Sequence, residues 1–569
     1  MTTQRPAPLP ERLARALMLA AALALPLQGP MAQAVERPGS LSPDGNVLRL
    51  PALGESAAED FGVGAERRLG DEVMAMIRRD PAYLDDPLLL QYLQSLWQPL
   101  VAAARARGDI DVDAASQFAW EAFLVRDKSV NAFALPGGFV GVHLGLIAMT
   151  RTRDQLASVL AHELTHVTQR HIARSVAVQQ RQTLLSMAGM ILALLAASRA
   201  DSADLAQAAV MGGQAAALQG QLNFSRDMER EADRIGFALL VGAGFDGGGM
   251  SAMFELMDRA NRFNDSSAYP YLRSHPLTQE RQSEARLRTH GQPPAAVVPA
   301  AAALHELMAA RASVLMDPGA AALHRLQRLP AAADAAQQGV SSRLGALYAA
   351  AMASSLLNEH ALAAQRIGQA QALLAAQSTP QPLLARVFAL LQVETALAAG
   401  DAAAAQQRLL ALRHEQGSAP QLGAAPERPL LLLQAQVALR LPPPERSAAL
   451  RDAAERLQTW LAQYPQDASG WLLLASCAEA QGQRLRALRA QAEARALLGD
   501  LTGALDRLRS GRELARSGAV GAGGQDFIEA SIIEARWREL QAQRRAMMAE
   551  RGGRAGEGRE PADDPDARP

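Results

Sequence analysis

Residues 153–180 read RDQLASVLAHELTHVTQRHIARSVAVQQ. No glycine or proline interrupts them, and Leu156, Val159, Leu160 and Val167 recur at helical spacing. Residues 162–166 are His-Glu-Leu-Thr-His. On a helix, residues four apart share a face one turn apart. His162 and His166 can therefore bring two imidazole nitrogens to one zinc ion. Glu163 lies beside that face, where a carboxylate can take a proton from metal-bound water. The alternative is a polar helix face carrying two unrelated histidines, and the third ligand decides between them.

The metzincin pattern asks for a glycine at 169 and a histidine at 172, but the chain has Gln169 and Ile172. His171 comes five residues after His166, turned away from the pair on a continuous helix. It reads as a solvated residue, or as one that supports the site from behind. A carboxylate on a later helix is the other source. Residues 224–236 read FSRDMEREADRIG, in which Glu229 and Asp233 are four apart. Glu229 can ligate while Asp233 accepts the N–H of a ligand histidine and so fixes its tautomer. Glu231 faces the opposite way and reads as a surface ion-pair residue. Two histidines and one glutamate leave the fourth zinc position open, as catalysis requires.

Three motifs together, HELTH (162–166), SRDMEREAD (225–233) with Gly236 after it, and NAFALPGG (131–138), resemble the HtpX/Ste24-type zinc metallopeptidases. The resemblance is specific over about residues 60–290 and looser to about 548. It implies a zincin-like α+β domain holding one zinc ion per chain. Glu229 is then the third ligand, Glu163 the catalytic base and Asp233 the support of His162. It also implies that His275, in Ser274-His275-Pro276, sits on an autoinhibitory loop and can fill the open zinc position. From the bare sequence His275 is only a loop histidine before a proline. Asn131, Phe133, Gly137 and Gly138 mark two short strands about a turn, one of which is expected to pair with an extended substrate.

The membrane branch of the family surrounds this core with transmembrane helices. The apolar stretch Leu184–Ala197 is only about 14 residues, where a span needs about 20. It reads either as a buried core helix or as a cover over the cleft that touches a membrane-associated partner. At the N-terminus, Arg5, Arg12 and Arg15 precede an apolar run to Leu27 and the small-x-small site Ala32-Gln33-Ala34. That pattern predicts a cleaved export signal over 1–34 and a mature chain in the periplasm. A Pro/Gly/Ser-punctuated segment, 35–64, comes next, then the metallopeptidase domain, 65–300.

Beyond residue 300, Ala-rich amphipathic helices alternate with breakers such as Pro442–Pro444, Gly482 and Gly499-Asp500. Trp471, Ala475, Ala478, Ala487 and Ala494 fall at the offsets of a tetratricopeptide unit. The expectation is a mainly α protein: the peptidase domain, a tetratricopeptide-like solenoid over 301–524, a capping helix over 525–550 and a disordered tail over 551–569.

Composition narrows the function classes. The 57 Lys+Arg against 58 Asp+Glu give a net charge of −1, which argues against a nucleic-acid surface. A single cysteine, Cys477, excludes a disulfide framework and a cysteine zinc cluster. The predicted function is an exported zinc endopeptidase working by Glu163-assisted attack of zinc-bound water. The resemblance implies unfolded or misassembled envelope proteins as substrates and the outer-membrane protein assembly machinery as partner, with peripheral membrane association at most. The competing reading is a chaperone-like or scaffold protein whose zinc is latched or structural.

Overall fold

The computed structural model describes residues 62–178, 226–263, 271–290, 298–331, 339–414, 428–517 and 524–555. The predicted export signal, nearly all of the 35–64 segment, the apolar stretch Leu184–Ala197 and the tail after Ala555 lie outside these residues. The chain divides into two compact units. The first contains the described residues up to Met74 and Asp80–Ala399; the second contains Ala75–Arg79, Gly400–His414 and the described residues from 428 onward.

The described chain opens with α1 (Val63–Ile77), which the first unit holds up to Met74, followed in that unit by strand β1 (Tyr83–Leu84) and α2 (Pro87–Ala106). Asp86 caps α2 by accepting the Leu89 N–H at 2.9 Å, and Pro87 sits where a helix tolerates proline. The buried stripe of α2 is Leu89, Leu93, Leu96, Trp97 and Leu100. The short α3 (Val112–Gln117) leads to β2 (Glu121–Val125), β3 (Ala132–Leu135) and β4 (Phe139–His143). The four strands lie in the order β1-β2-β4-β3. β4 pairs parallel with β2 and antiparallel with β3, so β3 forms one edge of the sheet. The β3–β4 turn needs left-handed backbone, with Gly137 at φ 77° and Gly138 at φ 90°. The expected two strands about Pro136-Gly137-Gly138 are therefore present, although Leu144–Met149 is a helix, α4, rather than more strand.

α5 (Arg153–Thr168) is the central helix, with every residue from Gln155 to Val167 buried. A capping box starts it: Thr152 accepts from the Gln155 N–H, and the Gln155 side chain accepts from the Thr152 N–H. The helix does not run on to residue 180 unbroken. Arg170 takes φ 50°, and a separate helix, α6 (His171–Val178), begins there. α7 (Arg226–Gly242) packs against α5, and α8 (Gly248–Phe263), the single turn α9 (Tyr271–Ser274) and α10 (Gln279–Thr289) come after it.

Five more helices complete this unit: α11 (Pro299–Met316), α12 (Ala320–Gln327), α13 (Val340–Leu356), α14 (His360–Ala375) and α15 (Pro382–Ala398). α11 docks through two buried polar groups. His305 pairs with the Tyr92 hydroxyl at 2.6 Å and with the Thr150 carbonyl at 2.9 Å. Arg311 reaches both oxygens of Asp86 at 2.7 Å and both of Glu394 at 2.9 Å.

The second unit is all-helical: α16 (Ala402–His414), α17 (Arg428–Arg440), α18 (Glu445–Gln463), α19 (Ala468–Ala480), α20 (Arg484–Leu497), α21 (Leu501–Arg516) and α22 (Gly524–Ala555). Successive helices pack in pairs, the pattern of a helical solenoid. Ala475, Ala478, Ala487 and Ala494 are all buried, and Ala475 packs in one core cluster with Leu432, Leu450, Leu457 and Ala490. Asp467 caps α19 through the Gly470 N–H and also accepts from Arg428 and the Trp460 indole. α22 covers the stack with Ile533 and Leu540, against Leu505 and Leu508. Among the described residues no helix is long and apolar enough to cross a membrane.

Candidate metal centre

The burial of α5 on all sides makes its polar residues conspicuous. His162, Glu163 and His166 are at most 3% exposed. His162 Nε2 and His166 Nε2 face each other 3.0 Å apart. Glu229, in the first turn of α7, brings one oxygen to 3.5 Å from His162 Nε2 and the other to 3.5 Å from His166 Nε2. Gly236 permits this approach of α7 to α5: a Cβ there would stand 3.1 Å from the Ala161 carbonyl oxygen and 3.2 Å from the His162 nitrogen. Gly236→Val is expected to push α7 outward and weaken metal binding at least tenfold, read by competition with a chelating dye; unchanged binding would show that the spacing is not critical.

His275 joins from the turn after α9. Its Nδ1 lies 2.8 Å from Glu229 Oε1 and 3.3 Å from His162 Nε2. The donor atoms of His162, His166, Glu229 and His275 all lie within 4.8 Å of one another. The site therefore gathers the four groups anticipated as the ligand set and its occluding histidine.

Behind them stand the residues that hold them. Asp233 Oδ1 is 3.0 Å from His162 Nδ1. Arg281 grips Asp233 at 2.6 and 2.8 Å, reaches Glu229 Oε2 at 2.8 Å and donates to the Pro276 carbonyl at 2.9 Å. One buried guanidinium thus ties the ligand helix to the loop carrying His275. In the sequence the only signal for Arg281 is its place five residues after Pro276. His171 is fully buried rather than solvated, with Nδ1 2.8 Å from His166 Nδ1. Glu231 does form the expected ion pair, with Arg174 at 2.8 Å, but it also reaches His171 Nε2 at 3.0 Å.

Electrostatics favour a cation here. Burial alone would lower the His162 imidazolium, but Asp233 and Glu229 outweigh it and raise it to about 9. Burial would raise the Glu229 carboxyl, yet His275 and Arg281 hold it well below the usual range. Asp233 behaves likewise, through Arg281. Burial and the neighbouring imidazoles push His166 well down, keeping its ring neutral. A carboxylate holds the Nδ1 proton of His162, so the proton the ring gives up to become neutral is the one on Nε2, and the lone pair it then offers points into the cluster. Converging lone pairs and a carboxylate fit a divalent ion such as zinc, with His and Glu as its ordinary donors.

Glu163 lies beside this cluster. Its Oε2 accepts the Ala134 N–H at 3.1 Å, and its Oε1 is buried without a hydrogen-bond partner. β3 therefore turns its free edge towards α5. Backbone direction alternates along the strand. The Val130 carbonyl accepts the Tyr271 N–H at 3.3 Å on the outer side, while the Asn131 carbonyl accepts the His143 N–H at 3.0 Å on the inner side. Ala132 and Ala134, which spacing did not single out, thus present the edge groups. Phe133, expected at the edge, pairs inward with Gly141 and packs its ring on Phe123 and His143. Asn131 is buried, with Oδ1 lacking a hydrogen-bond partner, and Gly137 and Gly138 form the turn.

A catalytic-type donor set beside a buried carboxylate and a strand edge is the equipment of a metallopeptidase. The profile of peptidase family M48 matches residues 90–289, in agreement with the resemblance carried by the motifs. The chain is 31% identical over 500 residues to the beta-barrel assembly-enhancing protease of Yersinia pestis, spanning 87% of this chain and 93% of that one. It is 38% identical over 250 residues to the protein of the same name from Escherichia coli K12, covering 44% of this chain and 48%, about half, of the relative. The mitochondrial metalloendopeptidase OMA1 of Schizosaccharomyces pombe is 36% identical over 172 residues, 30% of this chain and 47% of that one.

Proposed function

The chain belongs to peptidase family M48 and is a zinc metalloprotease, and from that premise we propose that it is an exported endopeptidase acting on misfolded or misassembled envelope proteins. His162, His166 and Glu229 hold one zinc ion per chain, and Glu163 is the general base. What supports the assignment is one observation: four buried donor groups converge beside a carboxylate whose Oε1 has no hydrogen-bond partner.

Bound zinc would polarise the scissile carbonyl and acidify water. The remaining work falls to the chain's own residues. The Ala134 N–H steadies Glu163 through Oε2. That leaves Oε1 to take the proton of the attacking water and return it to the departing amine. Asp233 keeps the Nδ1 proton on His162. The outer edge of β3, at Ala132 and the Ala134 carbonyl, pairs with an extended substrate by main-chain hydrogen bonds, which read little side-chain identity. Selection then rests on delivery. The helices over 301–524, read as tetratricopeptide-like repeats capped by 525–550, recruit substrate. The relatives' name, beta-barrel assembly-enhancing protease, supports the outer-membrane protein assembly machinery as partner, and the export signal read at residues 1–34 supports the periplasm as location.

His275 supports a second reading. While its Nδ1 stays 2.8 Å from Glu229, four protein donors close the set, as in structural or latched sites. Withdrawal of the Tyr271–His275 segment converts that latched state into the open one. The alternative, a chaperone-like protein with a regulatory zinc, corresponds to a latch that never opens.

The test uses the purified mature chain. Unfolded casein is incubated with it before chelation, after chelation, and after zinc is returned. Cleavage that disappears and recovers is expected, together with one zinc per chain that is missing from His162→Ala. Cleavage indifferent to chelation would sink the metallopeptidase assignment.

A further inference from the structure

His171 and Glu231 stand behind a ligand in the way Asp233 stands behind His162, although spacing had turned both away. Three observations explain their arrival. α5 ends at Thr168, and Arg170 adopts φ 50°, so the chain reverses before α6. Arg170 is held in that turn by Glu66, which accepts from its Nε at 2.9 Å. His171 then opens α6 pointing back, its ring 4.8 Å from that of His166 between centroids.

The hydrogen-bond chain has a determined direction. Glu231 Oε2 is a carboxylate oxygen taking an Arg174 N–H at 2.8 Å, so towards His171 Nε2, at 3.0 Å, it also accepts. His171 Nε2 therefore carries the proton and Nδ1 the lone pair. That lone pair, 2.8 Å from His166 Nδ1, accepts the His166 N–H. His166 is left with its Nε2 lone pair aimed at the donor cluster. We propose that His171 and Glu231 are positioning residues that fix the tautomer and ring plane of His166. The proposal rests on His166 being a zinc ligand.

Each metal-binding histidine of α5 is then oriented by a carboxylate of α7. Asp233 of α7 serves His162 directly, and Glu231 of the same helix serves His166 through His171. α7 thereby supplies the third ligand and both outer supports at positions 229, 231 and 233. Glu231 and Glu229 project in different directions from the helix, and His171 bridges the gap.

The test reads zinc affinity of the full chain by competition with a chromophoric chelator, which does not depend on cleavage. His171→Phe keeps bulk and removes the acceptor; a loss of about 10- to 100-fold is expected. His171→Asn, whose amide oxygen falls near the Nδ1 position, is expected to recover most of that loss. Glu231→Ala, at the partly exposed end, is expected to weaken binding several-fold. Melting of the metal-free protein is followed in parallel. Should His171→Phe fail to fold, Glu231→Ala carries the test, and wild-type affinity there overturns the proposal. So does wild-type affinity in a folded His171→Phe, or an Asn variant as weak as the Phe variant, which would mean mere packing. His166→Ala separates the two levels: if it binds zinc normally, the ligand assignment itself fails. If it loses zinc while His171→Phe does not, only the positioning role fails.

Discussion

Glu163→Gln is expected to lower kcat/KM for peptide cleavage by about 10²- to 10⁴-fold while zinc stays bound. The side chain is wholly buried and anchored through Oε2 to the Ala134 N–H. Glutamine has the same shape and offers one amide oxygen to that N–H, so the cleft keeps its form. What disappears is the ability to accept a proton at the second position. Glu163 is not among the atoms clustered for metal binding, so zinc content is expected to match the wild type. Measuring casein cleavage beside zinc content separates base from ligand. Equal activity would remove Glu163 from the reaction, and parallel loss of zinc would make it part of the metal cage instead.

The second large effect concerns stability. Arg311→Ala is expected to destabilise the first unit by about 3–5 kcal/mol, the range for breaking a buried ion pair from one side. Arg311 is 3% exposed and makes bidentate contacts with Asp86 and Glu394, with a further bond to the Tyr348 hydroxyl at 2.9 Å. Removing it strands the Asp86 carboxylate, which is itself buried and also caps α2. Glu394 keeps side-chain exposure of 27% and can rehydrate, so Asp86 dominates the cost. A loss of this size is a large share of ordinary domain stability, about 5–15 kcal/mol. Arg311→Lys retains charge without the planar fork and should fall between the two. Adding Asp86→Asn to Arg311→Ala should recover part of the loss. Denaturant unfolding checks this, and a change under about 1 kcal/mol for Arg311→Ala would mean the network contributes little.

The legible features share a property: each is local. His162 and His166 lie on one face because a helix places residues four apart together, and that holds whatever surrounds the helix. Glu229 and Asp233 obey the same rule, and the glycines at 137 and 138 announce their turn by their own conformational freedom. The helix pair carrying Ala475 to Ala494 was readable because its small residues and the breaker at Gly482 are local signals. His171 was not readable in this way. Its return to His166 depends on one left-handed residue, Arg170, and on a carboxylate, Glu66, that lies 104 positions earlier. Phe133 does lie on the edge strand, but which residues of that strand turn their main-chain groups outward depends on the side from which β4 pairs, and local sequence does not say.

By itself, then, the order of amino acids determined the chemistry of the site: the donor types, the helix carrying two of them, the family and the helical character of the chain beyond residue 300. Tertiary structure alone decided the sheet order, with β4 inserted between β2 and β3 so that β3 faces Glu163. It also decided the grip of Arg281 on two carboxylates and a loop carbonyl, the route from Glu231 to His166, and the bond of Arg311 to residues 225 positions away and 83 positions away. The physical reason is range. Periodicity and turn preference act over a few residues, whereas the partner of a buried charge is whichever opposite group the packed core brings within hydrogen-bond distance.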